Sequence, residues 1–590
     1  MTNDLGAADE FPPHVLREYA LVADGERGAM IGPRGDFAWL CAPRWDSGAV
    51  FSALIGGPGV YAVTPKEPRF VWGGYYEDST LIWRSRWITG SGFTECREAL
   101  AYPGDPHSAV VLRRIVAIDG PAQVRVVLDV RAGFGRHRMT RLKQADGLWT
   151  ARSGPLRVRW SGGADATVRA DGALELHLAL DAGAHHDLVL EISDQALPGD
   201  PVRAPEAWQA TETSWAAAVP ELGPSLATKD SRHSYAVLAG LTSSTGGMVA
   251  APTMSLPERS KAGRNYDYRY VWIRDQCYAG QAVAADGPHR LLDDAVAFVA
   301  ERVLADGPDL KPAYTVARGP VPGEESLTHL SGYPGGTDKI GNWVNRQFQL
   351  DALGEALQLF AAAAGHDHLD SGHWQAAELA VKAIETRWTD ADAGVWELDN
   401  RHWTHSRLMC VAGLRAIARA GAAPGQAATW ETLADAILAD VGGDSVHASG
   451  RWQRAPDDDR VDAALLLSAI REAVPATDPR SLATLDAIAA DLSSEGYVYR
   501  YRHDQRPLQE AEGAFVLCGF LMALATHQLG RTSEAVGWFE RHRGACGPPA
   551  LFTEEFDTHQ HQLRGNLPQA FVHAVMFESA VRLARPWDAR

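Results

Sequence analysis

The stretch Leu174-Glu175-Leu176-His177-Leu178-Ala179-Leu180 places a leucine at every second position, which is the spacing of a β-strand with one buried face. Comparable runs occur at 109–116, 123–130 and 156–160, and clusters of Gly, Asp and Pro separate them. Short runs divided by turn residues are typical of antiparallel strands. We therefore predict an antiparallel β-sandwich between about residues 19 and 210.

Beyond about residue 232 the apolar residues follow the period of helices. Twelve helices are predicted, near 232–243, 276–285, 289–304, 343–363, 370–388, 403–420, 425–440, 458–472, 479–490, 509–528, 531–543 and 566–585. Connections after even-numbered helices are short, as at 286–288 and 421–424, whereas those after odd-numbered helices are mostly long. Six helical pairs predict an (α/α)6 barrel, in which alternate connections lie at opposite ends. One end would then carry the long loops, which are usually functional.

A chain of 590 residues is too long for one ordinary core. We predict three parts: an N-terminal β-sandwich at 1–200, a linker helix at 201–230 and a catalytic barrel at 231–590. The oligomeric state is left open by the sequence.

Composition restricts the partners of the protein. A net charge of -18 disfavours nucleic acids and anionic membranes, which would repel the chain, but it tolerates a neutral substrate. The first ten residues lack a basic start and an apolar run, and the sequence contains no apolar run long enough to span a bilayer, so a cytoplasmic protein is expected. Six scattered cysteines and the isolated pair His402 and His405 predict no metal site, and no cofactor is expected.

The segment 265–275, Asn-Tyr-Asp-Tyr-Arg-Tyr-Val-Trp-Ile-Arg-Asp, crowds flat aromatic rings beside paired hydrogen-bonding groups. That combination suits a sugar, although the same residues could simply pack in a surface loop. The segment ends where the second helix is predicted to begin. Other loops rich in aromatic and charged residues enter further even-numbered helices, at 332–343, 394–406, 499–504 and 551–557.

Cleavage of a glycosidic bond needs two carboxyl groups, one protonated to donate to the leaving oxygen and one ionised. Glu397 suits the acid because Trp396, His402 and Trp403 would partly desolvate it and raise its pKa. From the residues alone, a capping or ion-pairing role for Glu397 within its loop would be favoured over catalysis.

Three motifs together are specific. They are the aromatic-x-aromatic-x-Trp-x-Arg-Asp run at 268–275, Trp396-Glu397 followed by Trp-Thr-His-Ser at 403–406, and Gly-Asn-x-Pro-Gln-Ala at 565–570. On these motifs the sequence resembles glycoside hydrolase family fifteen, the inverting glucoamylase, glucodextranase and trehalase group. The resemblance covers nearly the whole chain and implies the same (α/α)6 barrel.

The resemblance implies roles for the carboxyl groups. Glu397 would be the general acid and Glu554 the general base, with the adjacent Glu555 as the competitor for the base. Glu512 would be a substrate contact near subsite +1 or a structural carboxylate, and it is the third candidate for the base. Two carboxylates so far apart in sequence can meet only if the helices close into a ring.

The resemblance also implies substrate contacts. Arg274 and Asp275 would hold the hydroxyls of the non-reducing glucose, Trp272 would pack on its ring, and Tyr268 would lie near the catalytic water. Arg500 resembles a substrate-binding arginine, with an ion pair to Asp504 as its alternative, and Trp45 and Asp46 could reach the site from the sandwich. Trp343 stands where relatives have a small residue, which leaves the linkage preference open. The substrate-binding residues predicted are therefore Tyr268, Trp272, Arg274, Asp275, Trp343, Trp396, Arg500 and Glu512.

We expect an exo-acting, inverting α-glucoside hydrolase that releases β-glucose from short oligosaccharides of the isomaltose or maltose type. An α,α-trehalase of the same family is the alternative. A disaccharide phosphorylase, which needs one acid and a phosphate site, is the rival from another reaction class, and a non-catalytic sugar-binding descendant is the last candidate.

Overall fold

The computed structural model describes residues 7–259, 263–503 and 506–587. Its N-terminal part consists of antiparallel strands. They are β1 (Ala20–Ala23), β2 (Gly28–Ile31), β3 (Asp36–Cys41), β4 (Ala49–Phe51), β5 (Val60–Pro65), β6 (Val71–Tyr76), β7 (Trp83–Ile88), β8 (Phe93–Leu100), β9 (Ser108–Asp119), β10 (Ala122–Asp129), β11 (Met139–Ala145), β12 (Leu148–Ser153), β13 (Leu156–Ser161), β14 (Thr167–Val168), β15 (Leu174–Leu180) and β16 (His185–Ser193).

These strands form two sheets. One has the order β1-β2-β3-β5-β10-β15-β14 with β4 beside β3, and the other has the order β11-β12-β13-β16-β9-β8-β7-β6. Alternating residues of both sheets share one core, in which Val126 and Leu128 of the first sheet join Ile115 and Leu190 of the second. Burial of one face of each sheet in this way defines a sandwich, so the predicted β-sandwich is confirmed.

Helix α1 (Ala204–Ala218) follows the sandwich in the segment where a linker helix was predicted. The remaining helices are α2 (Thr228–Leu241), α3 (Ile273–Ala284), α4 (Arg290–Asp306), α5 (Asp351–Ala364), α6 (Ser371–Arg387), α7 (Thr404–Arg419), α8 (Pro424–Asp444), α9 (Leu467–Ile470), α10 (Pro479–Asp491), α11 (Leu508–Ala511), α12 (Val516–Gln528), α13 (Thr532–Arg543) and α14 (Ala570–Arg582).

Six of these helices close into an inner ring. The ring runs α3, α5, α7, α9, α12 and α14, and α14 packs back against α3. Helices α2, α4, α6, α8, α10 and α13 lie outside the ring, each paired with an inner helix or with the turn that leads into it. The inner helices are buried nearly all round, as expected for helices enclosed by a second layer. The predicted (α/α)6 barrel is therefore confirmed.

Four predicted helices are clearly shorter in the structure, among them the twelfth, which spans Ala570–Arg582 rather than 566–585. The fourth begins at Asp351 rather than at 343, the tenth begins at Val516 rather than at 509, and the eighth is a 3-10 turn (Ala463–Leu466) followed by the short α9. Trp343 and Phe515, which precede the observed starts of the fourth and tenth helices, line the cavity described below. The spacing of apolar residues alone does not distinguish a loop that lines the cavity from the first turn of an inner helix.

The long loops all lead into inner helices and therefore lie at one end of the barrel. They carry short strand pairs: β17 (Val271–Trp272) with β18 (Ala313–Tyr314), β19 (Glu325–Ser326) with β20 (Lys339–Ile340), and β21 (Ser493–Ser494) with β22 (Tyr497–Val498). A three-stranded sheet joins β23 (Ala514–Phe515), β24 (Glu555–Asp557) and β25 (Gln562–Arg564).

The sandwich fixes one of these loops through Arg269. Its guanidinium is fully buried, pairs with Asp267 at 2.7 Å and donates to the carbonyl oxygen of Ser47 at 2.7 Å. A buried charge is tolerated only when it is paired and hydrogen-bonded. These contacts therefore fix the position of the segment 265–275 against the sandwich. Within the described ranges, no helix combines the length and the apolar composition that crossing a bilayer requires.

Candidate active site

A cavity of about 280 Å³ opens at the loop end of the barrel. Most of the residues that were predicted for the site line this one cavity: Tyr268, Trp272, Arg274, Asp275, Trp343, Trp396, Glu397, Arg500 and Glu554. They come from the first turn of α3 and from the loops before α3, α5, α7, α12 and α14, which the closed ring brings together. Glu512 is the exception, because it lies behind the wall of the cavity.

Glu397 lies at the turn before α7 in the left-handed backbone region, with a φ of 55°. This conformation costs a non-glycine residue roughly 1–2 kcal/mol, and such strain is concentrated at functional sites. The carboxyl oxygen Oε1 accepts a hydrogen bond of 2.7 Å from Trp272 Nε1, and Arg274 Nη2 lies 3.8 Å from the same oxygen. The Glu397 side chain is 24% exposed, so it is partly desolvated and still open to the cavity.

Glu554 and Glu555 point in opposite directions, as successive residues do where a strand begins. Glu554 faces the cavity, where its Oε2 accepts from the Tyr268 hydroxyl at 3.1 Å. The side chain of Glu555 is fully buried away from the cavity, where it accepts from the backbone N–H of Gly513 at 2.9 Å and lies 3.3 Å from Arg264. Of the two, only Glu554 has a carboxyl group exposed to a bound ligand.

Carboxyl groups outnumber guanidinium groups around the base candidate. Burial raises the pKa of Glu554 well above its usual value, and the charge of Glu258 raises it further, whereas Arg500 opposes the shift. Burial likewise raises the pKa of Glu555 to about 8, although Arg264 opposes this rise. The cluster consists of Glu258, Glu512, Glu554 and Glu555 with Arg264 and Arg500. Burial and the neighbouring carboxyl groups thus both favour the protonated form of Glu554 in the unliganded site.

Arg274 and Asp275 form an ion pair whose facing atoms make no hydrogen bond to the described residues. Arg274 Nε and Asp275 Oδ1 lie 3.5 Å apart, and neither makes a hydrogen bond to any residue that the structure describes. Burial raises the pKa of Asp275 to about 6, with Arg274 opposing the rise. Because buried polar atoms are normally paired, these two atoms suit a ligand with hydroxyl groups. Arg274 Nη1 also donates to the carbonyl oxygen of Val395 at 2.8 Å, which ties it to the Glu397 loop.

Arg500 is held by Glu512. The guanidinium Nε donates to Glu512 Oε2 at 3.2 Å, and His503 Nε2 lies 3.0 Å from the same oxygen. Arg500 is itself only 8% exposed and reaches the cavity wall. The alternative partner Asp504 lies outside the described residues.

The sequence analysis gave no role to three residues of this site, although Gln569 lies within the motif at 565–570. Glu258 and Arg264 precede the segment 265–275 in the same long loop, and Gln569 Nε2 donates to Glu554 Oε1 at 3.4 Å. Glu258 and Arg264 line the cavity together with Gln569. Glu258 lies ten residues before Tyr268 in the sequence. This spacing belongs to no motif, so the sequence alone does not indicate that the two side chains meet in the folded loop.

Trp45 does not reach the cavity, because its indole is buried in the core between the domains and donates to the carbonyl oxygen of Gly25 at 2.7 Å. The carbonyl oxygen of Trp45 instead accepts a hydrogen bond from Arg269 at 3.2 Å. Neither Trp45 nor Asp46 is among the described residues that line the cavity. Trp45 therefore contacts the segment 265–275 on the side away from the cavity.

A second, wider cavity of about 680 Å³ adjoins the first. Glu397, Leu398, Tyr501 and Trp343 line both cavities. Trp343 is 38% exposed, which is unusual for a tryptophan and places its ring at the rim. Glu397 consequently stands at the boundary between an enclosed space and an open one.

Comparison with known proteins places the chain among carbohydrate-active enzymes. The model of "Glycosyl hydrolases family 15" matches residues 232–581, and that of "Trehalase-like, N-terminal" matches residues 11–215. The trehalase of Mycolicibacterium smegmatis is 29% identical, covering 98% of this chain and 92% of the relative. The trehalase of Mycobacterium tuberculosis is 30% identical, covering 98% of this chain and 90% of the relative.

Among solved structures, a bacterial glucoamylase complexed with acarbose is similar to this chain with a TM-score of 0.69. The match covers 98% of this chain and 96% of the glucoamylase at 13% sequence identity. At that identity the similarity extends to the fold, a β-sandwich followed by an (α/α)6 barrel.

Proposed function

The chain belongs to glycosyl hydrolase family 15 and is a glycoside hydrolase, and we propose that it is an α,α-trehalase. The observation that carries the choice of trehalose is the similarity of 29–30% to two trehalases across 98% of the chain. It favours trehalose over the isomaltose or maltose substrates expected from sequence motifs.

The two adjoining cavities support a disaccharide substrate. One glucose fits the enclosed cavity, where Arg274 Nε and Asp275 Oδ1, which make no hydrogen bond to the described residues, meet its hydroxyls and Trp272 packs beside its ring. The leaving glucose lies on the side of the wider cavity, next to Glu397 and the Trp343 rim. The glycosidic oxygen then lies at the boundary where Glu397 stands.

In the proposed reaction, Glu554 removes a proton from water as the water oxygen attacks the anomeric carbon. The glycosidic bond breaks, and its oxygen takes the proton of Glu397. Tyr268 donates to Glu554 and orients the base toward the water. A separation of roughly 6.5–9.5 Å between the two carboxyl groups is what leaves space for that water and gives inversion.

Phosphorolysis fits the site less well. A phosphorylase must bind a phosphate dianion where the water would lie, and the carboxyl-rich cluster around Glu554 opposes an anion there. Hydrolysis brings only neutral water to the same position.

The proposal is tested by comparing kcat/KM for trehalose, maltose, isomaltose, kojibiose and nigerose without added phosphate. We expect the value for trehalose to exceed the others by about tenfold or more, equivalent to about 1.4 kcal/mol of transition-state discrimination. A higher value for maltose or isomaltose would return the protein to the glucoamylase type, and strict dependence on phosphate would identify a phosphorylase.

The same digest reports the stereochemistry. Inversion at one anomeric carbon of trehalose yields β-glucose, while the departing glucose keeps its α configuration, so early proton NMR spectra should contain both anomers in equal amounts. Retention would yield α-glucose alone before mutarotation, which would exclude water attack between opposed carboxyl groups.

The raised pKa of Glu554 predicts a pH dependence. A base must be ionised, and a carboxyl group whose pKa is raised in the folded protein ionises only at higher pH. We therefore expect kcat/KM to fall on acidification with a midpoint above the ordinary glutamate value of about 4.3. A midpoint at or below the ordinary value in the wild-type profile would contradict the assignment.

A further inference from the structure

Glu258 is a third carboxylate at the base, outside the two catalytic roles. It is 5% exposed, and its Oε2 pairs with Arg264 Nη2 at 2.6 Å. The other oxygen, Oε1, lies 3.4 Å from the Tyr268 hydroxyl, which also lies 3.1 Å from Glu554 Oε2. One hydroxyl therefore bridges two carboxyl groups, and it can donate its single proton to only one of them at a time.

Glu258 also connects two spaces. It lines the sugar cavity together with Glu554, and it lines a separate cavity of about 300 Å³ together with Glu512, Arg259 and Arg564. The hydrogen-bonded series Glu554, Tyr268 and Glu258 thus leads from the site of water attack to a cavity that the sugar does not occupy.

The proposed reaction requires a route by which the base can lose its proton. Each turnover leaves Glu554 protonated and Glu397 ionised, so the base must lose a proton before it can act again. Glu554 is buried, and bound sugar would fill the space in front of it. Burial also raises the pKa of Tyr268 well above its usual value, which keeps its hydroxyl protonated and able to donate.

We infer that Glu258 is a proton acceptor that resets the base through the Tyr268 hydroxyl after each turnover. The proton of Glu554 moves to the Tyr268 oxygen as the hydroxyl proton of Tyr268 moves to Glu258 Oε1. Glu554 becomes a carboxylate, Tyr268 is unchanged, and Glu258 becomes a carboxylic acid that releases its proton to the adjoining cavity. This inference rests on the proposed role of Glu554 as the base.

The test separates the first turnover from later ones. At a pH above the acidic limb of the wild-type profile the base of Glu258→Gln starts ionised, so rapid-quench measurements with excess trehalose should show a first turnover at the wild-type rate. Steady-state kcat should fall by about a hundredfold, the lower end of the range for positioned proton-transfer groups, with KM not raised. The progress curve should therefore contain a burst equal to one turnover per enzyme.

Rescue provides a second readout. Glu258→Ala opens room beside Tyr268, and neutral imidazoles at fixed pH should raise the slow phase in proportion to their basicity while leaving the burst unchanged. A neutral acceptor restores proton transfer but not the negative charge of Glu258, so an electrostatic role alone predicts no rescue. Glu510→Gln, which changes an exposed carboxylate near the same cavity, is the matched control and should behave as the wild type.

Unchanged steady-state kcat in Glu258→Gln, or an equal loss in the first and later turnovers of a folded variant, would overturn the inference. Thermal unfolding of each variant identifies a folding defect. The outcome differs from failure of the proposed function, in which the wild type would not cleave trehalose or Glu554→Gln would remain active.

Discussion

Glu554→Gln is expected to lower kcat for trehalose by about 10³-fold to 10⁴-fold, the upper range for a positioned general base. The amide has the shape of the carboxylate and can still accept a hydrogen bond from Tyr268, but it takes no proton from water. Because Gln569 and Tyr268 both donate to Glu554, the substitution keeps one of these contacts and should preserve the fold. Steady-state glucose release and thermal unfolding of the variant are the measurements.

Glu555→Gln is the matched control, since it makes the same replacement of a carboxyl group by an amide at the adjacent residue. Its carboxyl faces Gly513 and Arg264 rather than the cavity, so we expect a loss in kcat of at most about tenfold at neutral pH. If the Glu555 variant is inactive and the Glu554 variant retains activity, the base has been assigned to the wrong residue.

Much of the fold follows from local patterns. The alternating run at 174–180 predicts β15 with its observed bounds, because one face of that strand is buried against the core. Short and long connections in alternation predict which end of the barrel carries the site, since that rule depends only on helical hairpins closing into a ring. The start of α5 could not be predicted in this way, because residues 343–350 are apolar enough for a helix but serve as loop.

The limits of sequence reasoning at the site are equally physical. Motifs identify Glu397 and Glu554, but they do not predict that Glu397 adopts a left-handed backbone conformation, which tertiary contacts impose. Glu258 was missed because its role depends on Tyr268, and only the folded loop brings the two together. No fixed sequence spacing identifies a carboxylate that acts through a neighbouring side chain.

Glu397→Gln is expected to lower kcat for trehalose by about 10³-fold, because glucose is a poor leaving group unless its oxygen is protonated. The variant should retain far more activity on α-D-glucosyl fluoride, since fluoride departs without a proton from the enzyme. Glu554→Gln should instead lose both reactions, because water attack is needed for each substrate. Asp390→Asn, an exposed change on the same loop, should leave both rates unaltered.

The two variants and two substrates together assign the roles of the two carboxyl groups. Trp272 donates to Glu397 Oε1 at 2.7 Å, and the glutamine side-chain oxygen can accept the same bond, so loss of activity would not reflect a displaced loop. Equal loss on trehalose and the fluoride in Glu397→Gln would show that this carboxyl group does more than protonate the leaving oxygen. Retention of the fluoride reaction in Glu554→Gln and its loss in Glu397→Gln would exchange the assignments of acid and base.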